Sequence, residues 1–305
     1  MDIPKQKKLI VIVGPTAIGK TSLSIQLAKH YNCEIVSADS RQFYKEMSIG
    51  TAKPTPQEMD GVPHHFINNI SIHQNYTAGD FEKDAIRLLD SLFKKHDTAI
   101  LVGGSGLFVN AVCHGFDDIP SNPEIRTQLI DEFERNGIEK LQKELENLDP
   151  NYHKEVDINN PHRVMRALEV CRTSGKPFSQ FLNKRAKERP FNSIWIGLNL
   201  NREIVYENIN SRVDTMVKNG LLEEVKSLEE YKDLTCLRTV GYQEFYQNPN
   251  DTEKAIDIVK RNTRRFAKRQ ITFFKRNKEI KWFEPSQLDK IITYINKEKP
   301  LEKRD

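Results

Sequence analysis

Eight consecutive residues carry the clearest chemistry in this chain. Gly14-Pro15-Thr16-Ala17-Ile18-Gly19-Lys20-Thr21 fills every fixed position of the G-x-x-x-x-G-K-[ST] pattern. Gly14 and Gly19 permit backbone angles that turn a row of N–H groups inward, toward an anion. Lys20 adds a point charge, and the Thr21 hydroxyl is a hard oxygen donor suited to Mg²⁺. Such a loop binds a di- or triphosphate. It works only between a strand and a helix, and both are predicted. Leu9 to Val13 is an uninterrupted apolar run that reads as a buried strand, and Leu23, Ile25, Leu27 and Ala28 recur at helical spacing. The N-terminus of that helix lends its positive dipole to the loop.

A second group of polar residues follows a second strand. Glu34-Ile35-Val36-Ser37-Ala38-Asp39 reads as extended with Ile35 and Val36 buried, and it runs into Asp39-Ser40-Arg41-Gln42. The C-terminal edge of an open parallel sheet is where ligands sit, so the Asp39 carboxylate is a candidate to face one. An Asp before a Ser is equally a turn or helix cap, and the residues alone leave both readings open. Thr98 to Val102 is a third buried strand, ending in Gly103-Gly104-Ser105-Gly106. Glycines at a strand end imply close approach of a neighbour or ligand. No Asp stands where a Walker B carboxylate is expected, which weighs against a plain ATPase or kinase. His64-His65 cannot both reach one metal from a regular element and lack companion ligands, so they read as a loop contact or packed ring. Asn75 to Asp80 caps a helix with Phe81, Ala85, Leu88, Leu89 and Leu92 on one face.

Beyond residue 116 the pattern changes. Glu124 to Leu148 is helical and mixed in charge, and Pro161 opens another helix, His162 to Arg172. On it His162, Arg163 and Arg166 share one face while Val164, Leu168 and Cys171 point elsewhere. With no strand pattern before Ile194–Leu198, residues 116–190 read as an all-helical insertion closed by the basic stretch Lys184 to Arg189. A helix from Arg202 carries Arg212 among apolar residues. Arg238 to Gln243 is a polar loop, and Lys281 to Glu284 a last strand. The charged tail from Lys297 is expected to fray.

Charge is uneven. Net charge is +4, yet between Lys254 and Lys281 eleven Lys and Arg stand against only Asp257 and Glu279. Lys260, Arg261, Arg264, Arg265, Lys268 and Arg269 fall on about half of one helical wheel, with Ala255, Val259, Phe266 and Phe273 striping the other side. Six cations without an anion between them repel unless a polyanion compensates, which favours a nucleic-acid or phosphate-facing surface over a solvated one. Four scattered cysteines (Cys33, Cys113, Cys171, Cys236) exclude a zinc motif and suit a reducing compartment. No apolar run is long enough for a membrane span or signal peptide, so a cytoplasmic protein is expected.

Taken in order, the phosphate loop, Asp39-Ser40 with Tyr44 nearby, Ile49 to Pro54, Gly103 to Leu107, Asn160 to Glu169, Val240-Gly241-Tyr242 and Ala267 to Gln270 resemble the tRNA dimethylallyltransferase family. The resemblance runs from about Leu9 to Phe283. It implies an α/β fold, a P-loop NTPase-like parallel sheet flanked by helices, with residues 1–115 and 191–305 as catalytic core and the helical insertion 116–190 gripping tRNA. The implied reaction moves a dimethylallyl group from dimethylallyl diphosphate to N6 of the adenosine 3′ of the anticodon, tRNA position 37, with Mg²⁺ as cofactor. Gly14 to Thr21 would then hold the diphosphate, Thr21 would ligate the metal, and Asp39, Ser105 and Arg212 would be catalytic. Asp39, Ser40, Arg41 and Gln42 would meet tRNA, as would His162, Arg163, Val164, Met165 and Arg166, and Arg238, Thr239, Val240, Gly241, Tyr242 and Gln243. Partners would be the tRNA anticodon stem-loop and dimethylallyl diphosphate, with no membrane, and the chain a monomer. Two positions depart from the family. Ser105 replaces the usual Thr but keeps the hydroxyl, and Asn208 stands where an arginine of the diphosphate clamp is common. The rival readings are an adenylate isopentenyltransferase acting on free nucleotide, a P-loop kinase or ATPase, and a non-catalytic RNA-binding protein.

Overall fold

The apolar run before the phosphate loop forms β1 (Lys8–Val13), and each of its side chains from Leu9 onward is buried. The reason is visible in its neighbours. The computed structural model describes residues 7–117, 119–182 and 187–297. In chain order β1 is followed by α1 (Lys20–Tyr31), β2 (Ile35–Ser37), α2 (Pro56–Met59), β3 (His64–His65), α3 (Ala78–Leu92), β4 (Thr98–Gly103) and α4 (Gly106–His114). Next come α5 (Pro123–Asn136), α6 (Glu139–Leu148), α7 (Pro150–Glu155) and α8 (Pro161–Ser174). The sheet resumes with β5 (Asn192–Leu198), α9 (Arg202–Lys218), α10 (Leu221–Ser227), α11 (Gln243–Gln247), α12 (Thr252–Phe274), β6 (Lys281–Phe283) and α13 (Leu288–Lys297). The six strands lie in the order β3-β2-β4-β1-β5-β6, every pair parallel. Strand β1 is therefore central, with Val13 opposite Gly103 on one side and Gly197 on the other. The two-residue period divides its side chains between two cores. Leu9, Val11 and Val13 join Leu101 and Trp195 on one face, while Ile10 and Ile12 join Ile100, Ile194 and Ile196 on the other.

Two compact units emerge, one comprising Met1–Cys113 with Arg189–Asp305 and the other His114–Glu188. The first holds the sheet. Within it α3 begins inside the predicted capping stretch, at Thr77, whose hydroxyl accepts from the Asp80 N–H while the Asp80 carboxylate accepts from the Thr77 N–H. The adjacent histidines differ from expectation. They form an edge strand rather than a loop, and His65 Nε2 lies 2.6 Å from Glu34 Oε2. The second unit is a four-helix assembly around Leu129, Leu141, Leu145, Val164, Met165 and Leu168. Asn122, Asp149 and Asn160 cap α5, α7 and α8, each ahead of a proline at the first turn. Arg172 bridges Glu132 and Glu144 through four hydrogen bonds of 2.7–2.9 Å, and those to Glu132 hold its carboxyl below the ordinary range. Lys184 to Ala186, at the start of the basic stretch, and the tail beyond Lys297 lie outside the described residues. All four cysteines are free and buried.

The sheet edge that carries the polar residues depends on close backbone contact at Gly103. A Cβ there would stand 2.4 Å from the Ala38 carbonyl oxygen and 2.6 Å from its carbon, and backbone cannot yield as a side-chain tip can. Gly103→Ala should therefore destabilise the sheet unit by about 1–3 kcal/mol, the usual scale of overpacking. Both tryptophans, Trp195 and Trp282, belong to this unit, so their fluorescence in a urea titration measures the fall in midpoint.

Candidate active site

The phosphate loop leaves β1 through Gly14, whose φ of 148° no L-residue adopts easily and whose added Cβ would stand 2.8 Å from the Leu198 carbonyl oxygen. Gly19, at φ 95°, is the N-cap of α1, so the free N–H groups of the first helical turn face the loop. Lys20 curls back over it and donates to the carbonyls of Gly14 (3.1 Å) and Pro15 (2.7 Å). Loss of water around this ammonium pulls its pKa from 10.5 down to about 8, against the opposing pull of the Asp39 carboxylate and with a further push from Arg212. Thr21 is exposed at the start of the helix, on the wall of the same cleft.

Arg212, on α9, reaches the loop from across the cleft. Its guanidinium donates to Thr16 Oγ1 (3.3 Å) and to the Ala52 carbonyl (3.4 Å). Burial weakens its hold on the proton, with Asp39 and Glu58 opposing. Asn208, the substituted family position, donates from Nδ2 to the Ala17 carbonyl at 3.3 Å. It thus touches the phosphate loop as a neutral amide, without adding charge. Gln270 of α12, a residue whose position sequence reasoning did not anticipate, joins two loops. Its Oε1 accepts from the Thr16 N–H (2.9 Å) and its Nε2 donates to the Gly104 carbonyl (3.0 Å).

Asp39 stands just past the end of β2, beyond the hydrogen bond that the Ala38 N–H donates to the Val102 carbonyl. Of the two readings left open by the sequence, the turn is seen directly. One oxygen accepts from the Arg41 N–H at 3.1 Å, a turn of the Asx kind, while the carboxylate faces the cleft and the charges of Lys20 and Arg212. Ser105 Oγ accepts from the Ser40 N–H and lies 3.2 Å from Ser40 Oγ. Gln42 uses its amide internally, donating to the carbonyls of Thr51 and Ala52.

The cleft has two lobes. One, of about 970 Å³, follows Thr16 to Ser22. The other, of about 440 Å³, is walled by Leu107, Phe108, Ile209, Val240, Phe266 and Phe273, with Ser105 in its lining. Thr16, Asp39, Arg212 and Gln270 line both, so the carboxylate and the guanidinium occupy the junction of a phosphate lobe with an apolar one. This corrects the wheel reading of α12. Phe266 and Phe273 are more than a third exposed and face the apolar lobe, and the helix packs instead through Ala255, Val259, Ala267, Gln270 and Phe274. Its cations are corrected too. Lys260 pairs with Asp214 at 2.6 Å and Arg264 donates to Asn210, whereas Arg261, Arg265, Lys268 and Arg269 remain exposed.

Of the residues expected along tRNA, Val164, Met165 and Tyr242 are corrected to core positions. Val164 and Met165 pack inside the helical unit, and Tyr242 is buried with its hydroxyl donating to Glu224. Arg166 is engaged by Glu169 at 2.9 Å. His162, Arg163 and Arg238 are exposed, and Thr239, Val240 and Gln243 partly so. Gly241, at φ 101°, packs against the Gly50 carbonyl oxygen and, with Thr239 and Val240, borders the apolar lobe. The His162–Arg166 set belongs to the helical unit, and the rest of the site residues to the sheet unit.

A parallel α/β sheet with a phosphate loop and an apolar lobe meeting at an aspartate and an arginine defines a P-loop protein. Comparison with known proteins is more specific. The IPP transferase family model matches residues 42–277, and the chain belongs to that family. The tRNA dimethylallyltransferase of Christiangramia forsetii is 55% identical, with 94% of this chain and 97% of that one covered. The namesake from Flavobacterium johnsoniae is 50% identical, covering 95% and 97%. Among solved structures, the full-length tRNA isopentenylpyrophosphate transferase of Bacillus halodurans has a TM-score of 0.70 at 38% identity, covering 95% of this chain and 96% of that one. A eukaryotic dimethylallyltransferase acting on tRNA has a TM-score of 0.82 at 26% identity, covering 98% and 82%.

The depressed Lys20 makes anion binding pH-dependent. Below about pH 8 the ammonium is charged and suited to attract a diphosphate. As pH rises through that value the charge is lost and affinity for inorganic diphosphate should fall. The Lys20→Arg variant stays charged throughout. Calorimetric titration of both across roughly pH 7–9.5 separates the lysine from the ligand, whose own titration is common to the two. The expected result is a steeper loss of affinity in the parent.

Proposed function

We propose that this enzyme transfers a dimethylallyl group from dimethylallyl diphosphate to N6 of the adenosine 3′ of the tRNA anticodon, position 37, with Mg²⁺. The observation that carries the reading is the junction of lobes at Asp39 and Arg212. The donor has a polyanionic head and a short apolar tail, and a phosphate lobe opening into an apolar one fits both ends. The acceptor base cannot react while stacked, so it is extruded into the cleft beside Asp39. In the reaction the bond between C1 and the diphosphate oxygen breaks as the bond between C1 and N6 forms. Negative charge gathers on the departing diphosphate, where the loop amides, Lys20 and Arg212 stabilise it. N6 is a weak nucleophile because its lone pair is delocalised into the ring. As it attacks, its proton becomes acidic and passes to the Asp39 carboxylate, which afterwards returns it to water. Ser105 supports the Ser40 end of the Asp39 turn through its two contacts there.

The metal would be held at Thr21. Mg²⁺ keeps several waters and binds through one or two protein oxygens plus substrate phosphates, and an exposed hydroxyl at the phosphate loop meets that demand. When bound, the ion neutralises charge on the diphosphate. The exposed cations of α12 and of the 162–166 segment are the surfaces offered to the RNA backbone. No helix among the described residues is long and apolar enough to cross a membrane.

The direct test is to incubate the protein with dimethylallyl diphosphate, Mg²⁺ and bulk tRNA and to measure the masses of the digested nucleosides. N6-dimethylallyladenosine from tRNA is expected, and product from AMP alone would move the assignment to free nucleotide. Asp39→Asn keeps size and one acceptor oxygen but removes the base. Single-turnover transfer with enzyme in excess should slow by about 10²–10⁴-fold, with tRNA affinity largely retained. A rate within a few-fold of the parent would leave Asp39 as a turn residue only. Replacing Arg261, Arg265 and Lys268 with Ala should weaken tRNA binding and flatten its log–log salt slope by roughly 0.7–0.9 for each phosphate no longer neutralised. An unchanged slope would mean that these side chains face only solvent.

A further inference from the structure

A carboxylate outside the cleft holds four donors at once. Glu224, on α10, accepts through Oε2 from the backbone N–H groups of Ser48 (2.9 Å) and Ile49 (2.8 Å). Its Oε1 accepts from the Gly50 N–H (2.9 Å) and from the Tyr242 hydroxyl (2.6 Å). Three successive N–H groups converging on one anion form a nest, which exists only while the backbone keeps that local geometry. Burial and the nearby Glu224 charge raise the Tyr242 hydroxyl well above its ordinary range, so it remains a donor. The fit leaves no slack. A Cβ on Gly50 would stand 2.6 Å from the Tyr242 ring, and Gly241 approaches the Gly50 oxygen closely from the other side.

The segment held in this way carries two carbonyls that matter in the cleft. Ala52 O accepts from Arg212 and, with Thr51 O, from Gln42. Among the described residues, Thr16 Oγ1 and Ala52 O take the hydrogen bonds of the Arg212 guanidinium, so one of its two anchors sits at the end of the Glu224-bound loop. The other end of the carboxylate reaches Tyr242, beside the Gly241 loop that borders the apolar lobe. We infer that Glu224 is a positioning residue for the transfer reaction: by binding the 48–50 backbone and Tyr242 together it sets the loop that presents the Ala52 carbonyl to Arg212. The inference rests on the catalytic reading above, in which Arg212 meets the departing diphosphate. It adds a role for a residue that lines neither lobe of the cleft.

The test uses Glu224→Gln. The amide has the same shape, but whichever way it turns its NH₂ faces backbone N–H donors. Donor kcat/KM should fall by about 10–100-fold, the scale of misplaced or outer-layer groups, and calorimetric affinity for inorganic diphosphate should fall in the same direction. In an Arg212→Ala background the same change should cost less than about threefold, because the group being positioned is gone. A full, additive loss in that background would overturn the inference and leave Glu224 as a stability residue. Should Glu224→Gln fail to fold, by circular dichroism and melting, Tyr242→Phe carries the test, since it removes one donor and leaves the charge. A smaller loss with the same non-additivity is expected, and additivity overturns it. If the parent transfers no dimethylallyl group, the catalytic reading fails by itself, and diphosphate affinity across the parent, the two single variants and the double variant still decides whether Glu224 positions Arg212.

Discussion

Two cations and one carboxylate gathered half-buried in the wall of one cleft are the constraint on which it depends. Lys20 and Arg212 repel one another, and both lose hydration; the downward shift of each shows the cost. Asp39 offsets part of it, since its charge opposes the shift in both. The remainder is met by fixed dipoles: the carbonyls of Gly14 and Pro15 around the ammonium, and Thr16 and Ala52 around the guanidinium. Such an arrangement stabilises an arriving polyanion without reorganising, which is the physical basis of preorganised catalysis. It also explains why so much of the surrounding structure serves to hold carbonyls still.

The sheet does this through strand ends. In a parallel sheet every C-terminus points to one edge, so β1 delivers the phosphate loop, β2 delivers Asp39 and β4 delivers Ser105 to the same place. Gly14 against Leu198 and Gly103 against Ala38 set the spacing at the closest approaches. The opposite edge carries a different electrostatic pattern: Glu34, just ahead of β2, lies between His65 and His96, and the His65 hydrogen bond holds its carboxyl below the ordinary range. That pairing ties the short edge strand to the sheet, at the strand ends away from the chemistry.

What could be read from the chain, and what could not, follows from the range of each interaction. The β1–loop–α1 unit was legible because its pattern is local, an apolar run, two glycines and a helical period. The start of α3 was legible within a few residues for the same reason, though not the reciprocal Thr77–Asp80 contact that makes it. Partners far along the chain were not. Gln270 meets Thr16 across 254 positions, and Lys260 meets Asp214 from another helix, which is why six cations looked unpaired from a wheel alone. The wheel also put Phe266 and Phe273 with Ala255 and Val259, since periodicity tells which residues share a face and not what covers it. Along its 23 residues α12 packs first with one side and then beside a cleft, so the aromatic margin of its buried stripe becomes a wall of the apolar lobe. Val164, Met165 and Tyr242 show the converse. They sit inside motifs that resemble a tRNA-contacting set, yet what they contribute is packing that holds their exposed neighbours in place.

Asn208 places a neutral amide against the phosphate loop. An arginine at that position would add a third cation near Lys20 and Arg212, strengthening attraction for the diphosphate while increasing repulsion among the cations themselves. The amide here contacts the loop through the Ala17 carbonyl and adds no charge to it. On the proposed mechanism, stabilisation of the departing diphosphate rests on the loop amides, Lys20 and Arg212, so the placement of that guanidinium matters. Its anchors are a hydroxyl on the phosphate loop and a carbonyl on the 48–52 segment, the first fixed by the Gln270 bridge at Thr16 and the second by the carboxylate nest at Glu224. Two residues distant in sequence from the phosphate loop, Gln270 and Glu224, therefore bind the backbone segments that anchor the Arg212 guanidinium.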